Sequence, residues 1–349
     1  MQDDLFGGAA PEDGAAVPSP RPRKASTPGT GPKIRPQPAS PELQALARAL
    51  PPRLRLGTST WSYPGWAGLV WDGEFGESLL AKHGLEAYAQ HPLLRAVSID
   101  RSFYRPLTVS EYARFAAQVP DDFRFTIKAP SMVTDALIRR EDGRGMEPNP
   151  LFLDPLMAVQ AFVQPALDGL GAKTGALVFQ LSPLPPPLLA DLPDVLRRLE
   201  ALLRAMPALR PVAPDAVLAV EVRDPAFVTP DFAALLRRAG ATYCLGLHPK
   251  LPPIEAQLPL LRDLWPGPLV CRWNLNARHG AYGYEDAEKL YQPFDKLVHP
   301  DPATREVLAR VIRGTTGRGQ NAFVTISNKA EGCAPLTVRG LAEAVAATA

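Results

Sequence analysis

The sequence predicts a closed TIM-type (β/α)8 barrel, and three observations lead there. Eight short apolar runs recur along the 349 residues. Most are followed by a stretch with the leucine and alanine spacing of an amphipathic helix. Polar or charged residues stand at the C-terminal ends of several runs, where a barrel of this kind gathers its functional groups.

The chain opens differently. Residues 1–38 are dominated by Gly, Ala and Pro, with a basic patch at Arg21, Arg23, Lys24, Lys33 and Arg35. Such a segment buries too little apolar surface to offset chain entropy, so a disordered tail is expected. Ser40 can cap a helix and Pro41 suits its first position. A short helix is therefore expected within residues 39–50, with Leu43, Leu46 and Leu50 inward, plugging the lower end of the barrel. Residues 51–347 form the barrel domain.

The first strand is expected over residues 54–58, followed by an aromatic loop over 60–66 and a helix over 78–90. Residues 96–100 form the second strand and 110–118 its helix. The third, 123–128, alternates and stops at Pro130. A polar loop over 139–145 leads to a helix over 155–170, which Pro165 is expected to kink or break. The fourth strand is 176–181. Pro183, Pro185, Pro186 and Pro187 then delay its helix to 188–205. The fifth strand is 217–222 with a helix over 231–239, and the sixth is 242–247 with a loop over 248–253. The seventh, 269–273, precedes a polar and aromatic loop over 276–284. The eighth is 323–327, and a helix over 336–347 closes the ring. Each crossover is long enough to hold its helix. The rival, a doubly wound open sheet, lacks its phosphate-binding glycine fingerprint. The glycine-rich segment 314–320 precedes the last strand, which puts it on the lower face as a connector.

Composition narrows the function. The chain is 46% hydrophobic and 21% charged, and 38 Lys and Arg against 36 Asp and Glu leave a formal +2. That balance exerts no global pull toward nucleic acid or anionic lipid. No apolar run is long enough to span a bilayer, and the first residues lack the basic-then-apolar order of a secretory signal, so a cytoplasmic location is expected. Cys244, Cys271 and Cys333 lie outside any metal-binding spacing and are read as reduced, buried thiols. Neither a cofactor nor a metal is expected. His248 and His279 fall in upper loops, but no compact ligand motif joins them.

Strand-end residues carry the chemistry. Glu221 and Arg223 alternate onto one side of the fifth strand. Glu221 is suited to proton transfer and Arg223 to gripping a carboxylate or phosphate; a structural ion pair is the competing reading. Asp100 could complete a carboxylate pair with Glu221. Lys128 ends a strand, as a nucleophile or as a point charge for an anion. Arg105 and Arg272 would add to an anion site. Trp61, Trp66 and Tyr104 could stack the less polar part of a ligand, and Gln180, Asn274, His279 and Asn328 complete the ligand-binding set.

Several segments together carry a family resemblance: residues 57–63 with Trp66, the Ser102-Phe103-Tyr104-Arg105 run, residues 123–128, Phe179-Gln180-Leu181, Glu221-Val222-Arg223, His279-Gly280 and Ser327-Asn328. In order and setting the chain resembles the family called domain of unknown function seventy-two, also described as YecE-like, from Leu56 to about Val345. The resemblance implies a TIM-barrel fold and no particular reaction. The chain departs from that pattern with Ser98 where the family usually has Glu, Asp100 for Asn, Asp135 for His, Asp224-Pro225-Ala226-Phe227 for His-Pro-x-Trp, and Asn274 at or near a His. It reads as a divergent branch.

Two functions stay open. One is an enzyme using acid-base or hydrolytic chemistry on a small anionic or sugar-like molecule, with Glu221, Lys128 and Asp100 as catalytic residues. The other is a noncatalytic binding protein for nucleic acid or an anionic metabolite, nucleic acid being the less favoured partner. No membrane partner is expected.

Overall fold

Eight strands pair in parallel and close into a ring in the order β1 (Leu54–Thr58), β10 (Ala322–Ile326), β9 (Leu269–Trp273), β8 (Thr242–Leu247), β7 (Val217–Glu221), β6 (Thr174–Gln180), β3 (Arg124–Lys128) and β2 (Ala96–Ile99). The expected (β/α)8 barrel is the observed fold, with each strand displaced by a residue or two at most. The computed structural model describes residues 33–140 and 146–347; most of the tail expected over 1–38, and residues 141–145 of the polar loop, lie outside it.

Both faces of these strands are covered, which explains their near-continuous apolar character. One face meets the outer helices in a single large cluster. The other sends Ala176, Val178, Ala219, Cys244, Val270 and Phe323 into the lumen, where they form a separate packed cluster. Below it, Arg124 pairs with Asp215 at 2.7 Å, and Asn321 donates to the same carboxylate at 3.3 Å. All three cysteines are buried and unpaired by disulfides.

Closure depends on a close backbone approach. Gly57 of β1 lies beside Ala96 of β2, and a Cβ on it would sit 1.9 Å from the Ala96 carbonyl oxygen. On its other side Gly57 pairs with Thr325 of β10, which closes the ring.

Several local expectations are corrected. The helix Pro41–Ala49 is capped as read, Ser40 accepting from the Leu43 amide at 3.2 Å. It packs beside the last helix, Ala334–Ala346, on the outside of the barrel and not as a plug of its lower end. The helix expected over 78–90 divides at Gly84 into Glu77–His83 and Leu85–Tyr88. That over 155–170 contains a π turn, Val159–Val163, just before Pro165, whose missing N–H frees a carbonyl in the preceding turn. The crossover from β3 to β6 contains a two-stranded antiparallel sheet, β4 (Leu137–Arg139) and β5 (Met146–Pro148). The glycines at 314 and 317 end the helix Pro302–Gly317 on the lower face.

Candidate functional site

Above the apolar lumen, alternation brings a polar layer to the mouth. Gln180, Glu221 and Lys128 are the last residues of β6, β7 and β3. Arg272 is the penultimate residue of β9, with Asn274 just beyond its end. Asp100 follows β2 and opens the short 3-10 turn Asp100–Phe103, so the second strand ends one residue earlier than expected.

Glu221 is the centre of this layer and has no solvent exposure. Its Oε1 accepts from Asn274 at 3.0 Å and pairs with Arg223 at 2.8 Å; its Oε2 pairs with Arg272 at 2.7 Å. Arg272 also donates to Asp100 Oδ2 at 2.6 Å. Gln180 Oε1 accepts from Arg223 at 3.1 Å and from Arg272 at 3.3 Å. Asp100 Oδ1 accepts from Ser98, the residue that stands where the resembled family usually has glutamate, at 2.6 Å. Removing these charges from water is costly, and the network holds only because almost every group is answered.

The electrostatics follow from that geometry. Burial alone would raise the Glu221 carboxyl, but Arg223 and Arg272 outweigh it and bring it down to about 2. Both of its oxygens face cations, which favours the ionised carboxylate. Its carboxylate holds the two guanidinium groups side by side. Lys128 is the opposite case. Burial, helped by Arg272 and only partly opposed by Asp100 and Glu221, pushes its amine down to about 7. No described residue accepts a hydrogen bond from it, and its Nζ stands 3.3 Å from the centre of the Phe103 ring. Arg223 Nη1 is likewise buried without an acceptor. Two carboxylates against two guanidinium groups leave Lys128 as the surplus charge.

Further groups surround this layer, among them His248, whose loop the sequence puts on the upper face. Burial, with Arg223 adding to it, lowers His248 to about 4, and its Nδ1 accepts from the Lys250 amide, which leaves the proton of the neutral ring on Nε2. The Tyr284 ring lies 5.4 Å from that of His248. Burial raises Asp135, against the Ser182 hydroxyl that donates to it at 2.5 Å and the Lys128 charge nearby. Ser182 lies two residues beyond Gln180, and that alternation was the signal for it.

The remaining candidates make contacts outside this charge network, although the Tyr104 ring packs at 5.5 Å on Phe103, the ring that covers Lys128. Tyr104 is 80% exposed. Arg105 pairs with Glu111 at 2.6 Å and is largely exposed. Trp61 is buried against Phe115 and beneath Arg101. Trp66 is buried and donates to Asn328 at 3.2 Å, whose Oδ1 also takes the Ala334 amide; both fasten loops. His279 joins Tyr291 at 2.7 Å, and Tyr291 joins His299 at 2.9 Å, in a cluster of its own. Among the described residues no group of three or more His, Cys, Asp or Glu is arranged to hold a metal ion, and no helix is long and apolar enough to cross a membrane.

A family model described as "Protein of unknown function DUF72" matches residues 55–349. The chain is similar to a DUF72 family protein from Enterococcus faecalis V583, with a TM-score of 0.51 and 17% identity over 84% of this chain and 95% of that one. It is also similar to a DUF72 family protein from Thermotoga maritima MSB8, with a TM-score of 0.50 and 18% identity over 82% of this chain and 96% of that one. At such identities the likeness concerns the fold. Among curated proteins none matches.

Proposed function

The chain belongs to the DUF72 family, and from its barrel mouth we propose an enzyme that binds a small anionic or sugar-like molecule and acts on it by acid-base chemistry. Lys128 is the proton-transfer group. Arg223 holds the anionic group, while Glu221 and Gln180 hold Arg223 in place. Asp100 faces the more polar part of the ligand.

The observation that carries this reading is the pair of uncommitted cations in one otherwise satisfied layer. Arg223 Nη1 has no acceptor, and among the described residues Lys128 Nζ has none. For Arg223 Nη1, a buried donor without a partner costs about 1–3 kcal/mol, more when charged, and an anionic oxygen removes that cost. The half-charged amine is suited to moving a proton near neutral pH. The buried, unpaired state of Cys244, Cys271 and Cys333 supports a reducing, cytoplasmic setting for the activity.

The test is a metabolite-binding screen on the full chain, repeated on Arg223→Ala and on Arg197→Ala, an exposed control. Anionic ligands should be selected, and Arg223→Ala should weaken them about tenfold or more, as expected for losing a charge-assisted hydrogen bond. Selection of neutral ligands only, unaffected by Arg223→Ala, would reject the site. An anionic ligand that binds at the mouth and is never transformed would make the protein a noncatalytic binder.

A further inference from the structure

We propose that Lys128 is a nucleophile that forms an imine with a small carbonyl compound carrying an anionic group; this rests on the ligand site proposed above and names its substrate class. Three features of the mouth carry it.

The first is the isolation of the amine. Other partly buried lysines are answered: Lys173 Nζ donates to the Ala116 and Val119 carbonyls at 2.9 and 2.7 Å, and Lys329 Nζ pairs with Glu288 at 2.9 Å. Lys128 meets only the face of Phe103. The carboxylates around it are already committed, Glu221 to Arg223 and Arg272, and Asp100 to Arg272. A partly buried amine beside two guanidinium groups, with no carboxylate of its own, gives up its proton more readily, and its neutral fraction carries the lone pair. The fall of its proton affinity toward neutrality agrees with that geometry.

The second feature is position. Lys128 is the last residue of β3 on the lumen face, and it is only partly buried, so a molecule entering the mouth meets its amine. The third is the company it keeps. Arg223 Nη1 is buried without an acceptor, and Asp135 is a carboxyl that burial favours in its protonated form beside the Lys128 charge.

The step balances without an oxidant or reductant. The Nζ lone pair forms a bond to the carbonyl carbon, and the carbonyl π electrons move to oxygen, which takes up a proton. Nitrogen gives up its protons, the C–O bond breaks with the aid of an acid, for which Asp135 is suited, and the oxygen leaves as water. An imine and one water result.

The full chain would be incubated with pyruvate, and separately with dihydroxyacetone phosphate, then reduced with borohydride and mapped by peptide mass spectrometry. One adduct is expected, on Lys128, at least about tenfold above any other lysine, as for an activated amine among ordinary ones. It should be absent in Lys128→Arg, whose fold is checked by circular dichroism. Labelling by pyruvate alone would assign a carboxylate ligand, and by dihydroxyacetone phosphate alone a phosphate. If both probes bind in competition with inorganic phosphate and neither labels Lys128 selectively, the imine is overturned and the anion site stands. If neither probe nor inorganic phosphate binds, the anion site falls, and this inference with it.

Discussion

Replacing Glu221 by Gln strands two guanidinium groups in a layer that excludes water. Breaking a buried pair by removing one partner costs about 3–5 kcal/mol, so Glu221→Gln should lower stability by that order, read from the denaturant midpoint. Its pH dependence has a definite sign. The carboxyl lies near 2 in the folded chain and at its ordinary 4.5 when unfolded, so its contribution is complete above 4.5 and lost as pH falls toward 2. The acid limb of the stability profile should therefore flatten in the variant. Lys128 acts in the other direction. Its folded value near 7 lies below the ordinary 10.5, so the unfolded chain binds more protons between the two, and stability rises with pH across that window. Lys128→Met should remove that rise and raise the melting temperature most below pH 7. By the same charge, binding of inorganic sulfate, an anion that does not itself titrate there, should weaken as pH rises through about 7 in the parent and stay flat there in Lys128→Arg. A parent profile that is flat from pH 6 to 8 would remove Lys128 from the anion site.

At the scale of elements, one substitution has opposite signs at two glycines. On β1, Gly57→Ala forces a methyl group against the Ala96 carbonyl oxygen, a backbone atom that moves only if β1 and β2 separate. A loss of about 1–3 kcal/mol or more is expected, as for overpacking a closed core. In the helix Pro302–Gly317, a Cβ on Gly314 would make only ordinary contact with Trp265, at 3.6 Å. Gly314→Ala should therefore gain up to about 1 kcal/mol of helix propensity. Urea midpoints of the two variants check both signs.

At the scale of the whole molecule, stability is a property of closure. β10 supplies the parallel partner of both β1 and β9, so a chain ending at residue 320 leaves two strand edges open. That truncation should lose its cooperative thermal transition and aggregate, seen by circular dichroism and light scattering. A truncated chain with a sharp melt would mean that the seven remaining strands suffice. The near-neutral balance of formal charge makes global electrostatics a minor term, and the charges that count are those the barrel concentrates at its two ends.

The sequence by itself determined the barrel, because covered parallel strands and amphipathic helices each leave a local pattern of apolar spacing. It also determined that Glu221 and Arg223 share a side, because strand alternation is local. Membership in the family was legible for a similar reason, since its motifs are short runs at strand ends. Only the tertiary structure decided which strand-end residues meet. Tyr104 packs on Phe103, the ring over Lys128, Arg105 pairs with Glu111, and Trp61 and Trp66 spend their rings on packing. The partition of charge was equally invisible, because it depends on contacts such as Arg272 with Asp100, 172 positions away, and with Glu221, 51 away. Those contacts fix Glu221 as an anion and leave Lys128 without a partner. Electrostatics acts through space over a few ångströms, and a chain records such distances only once it has closed on itself.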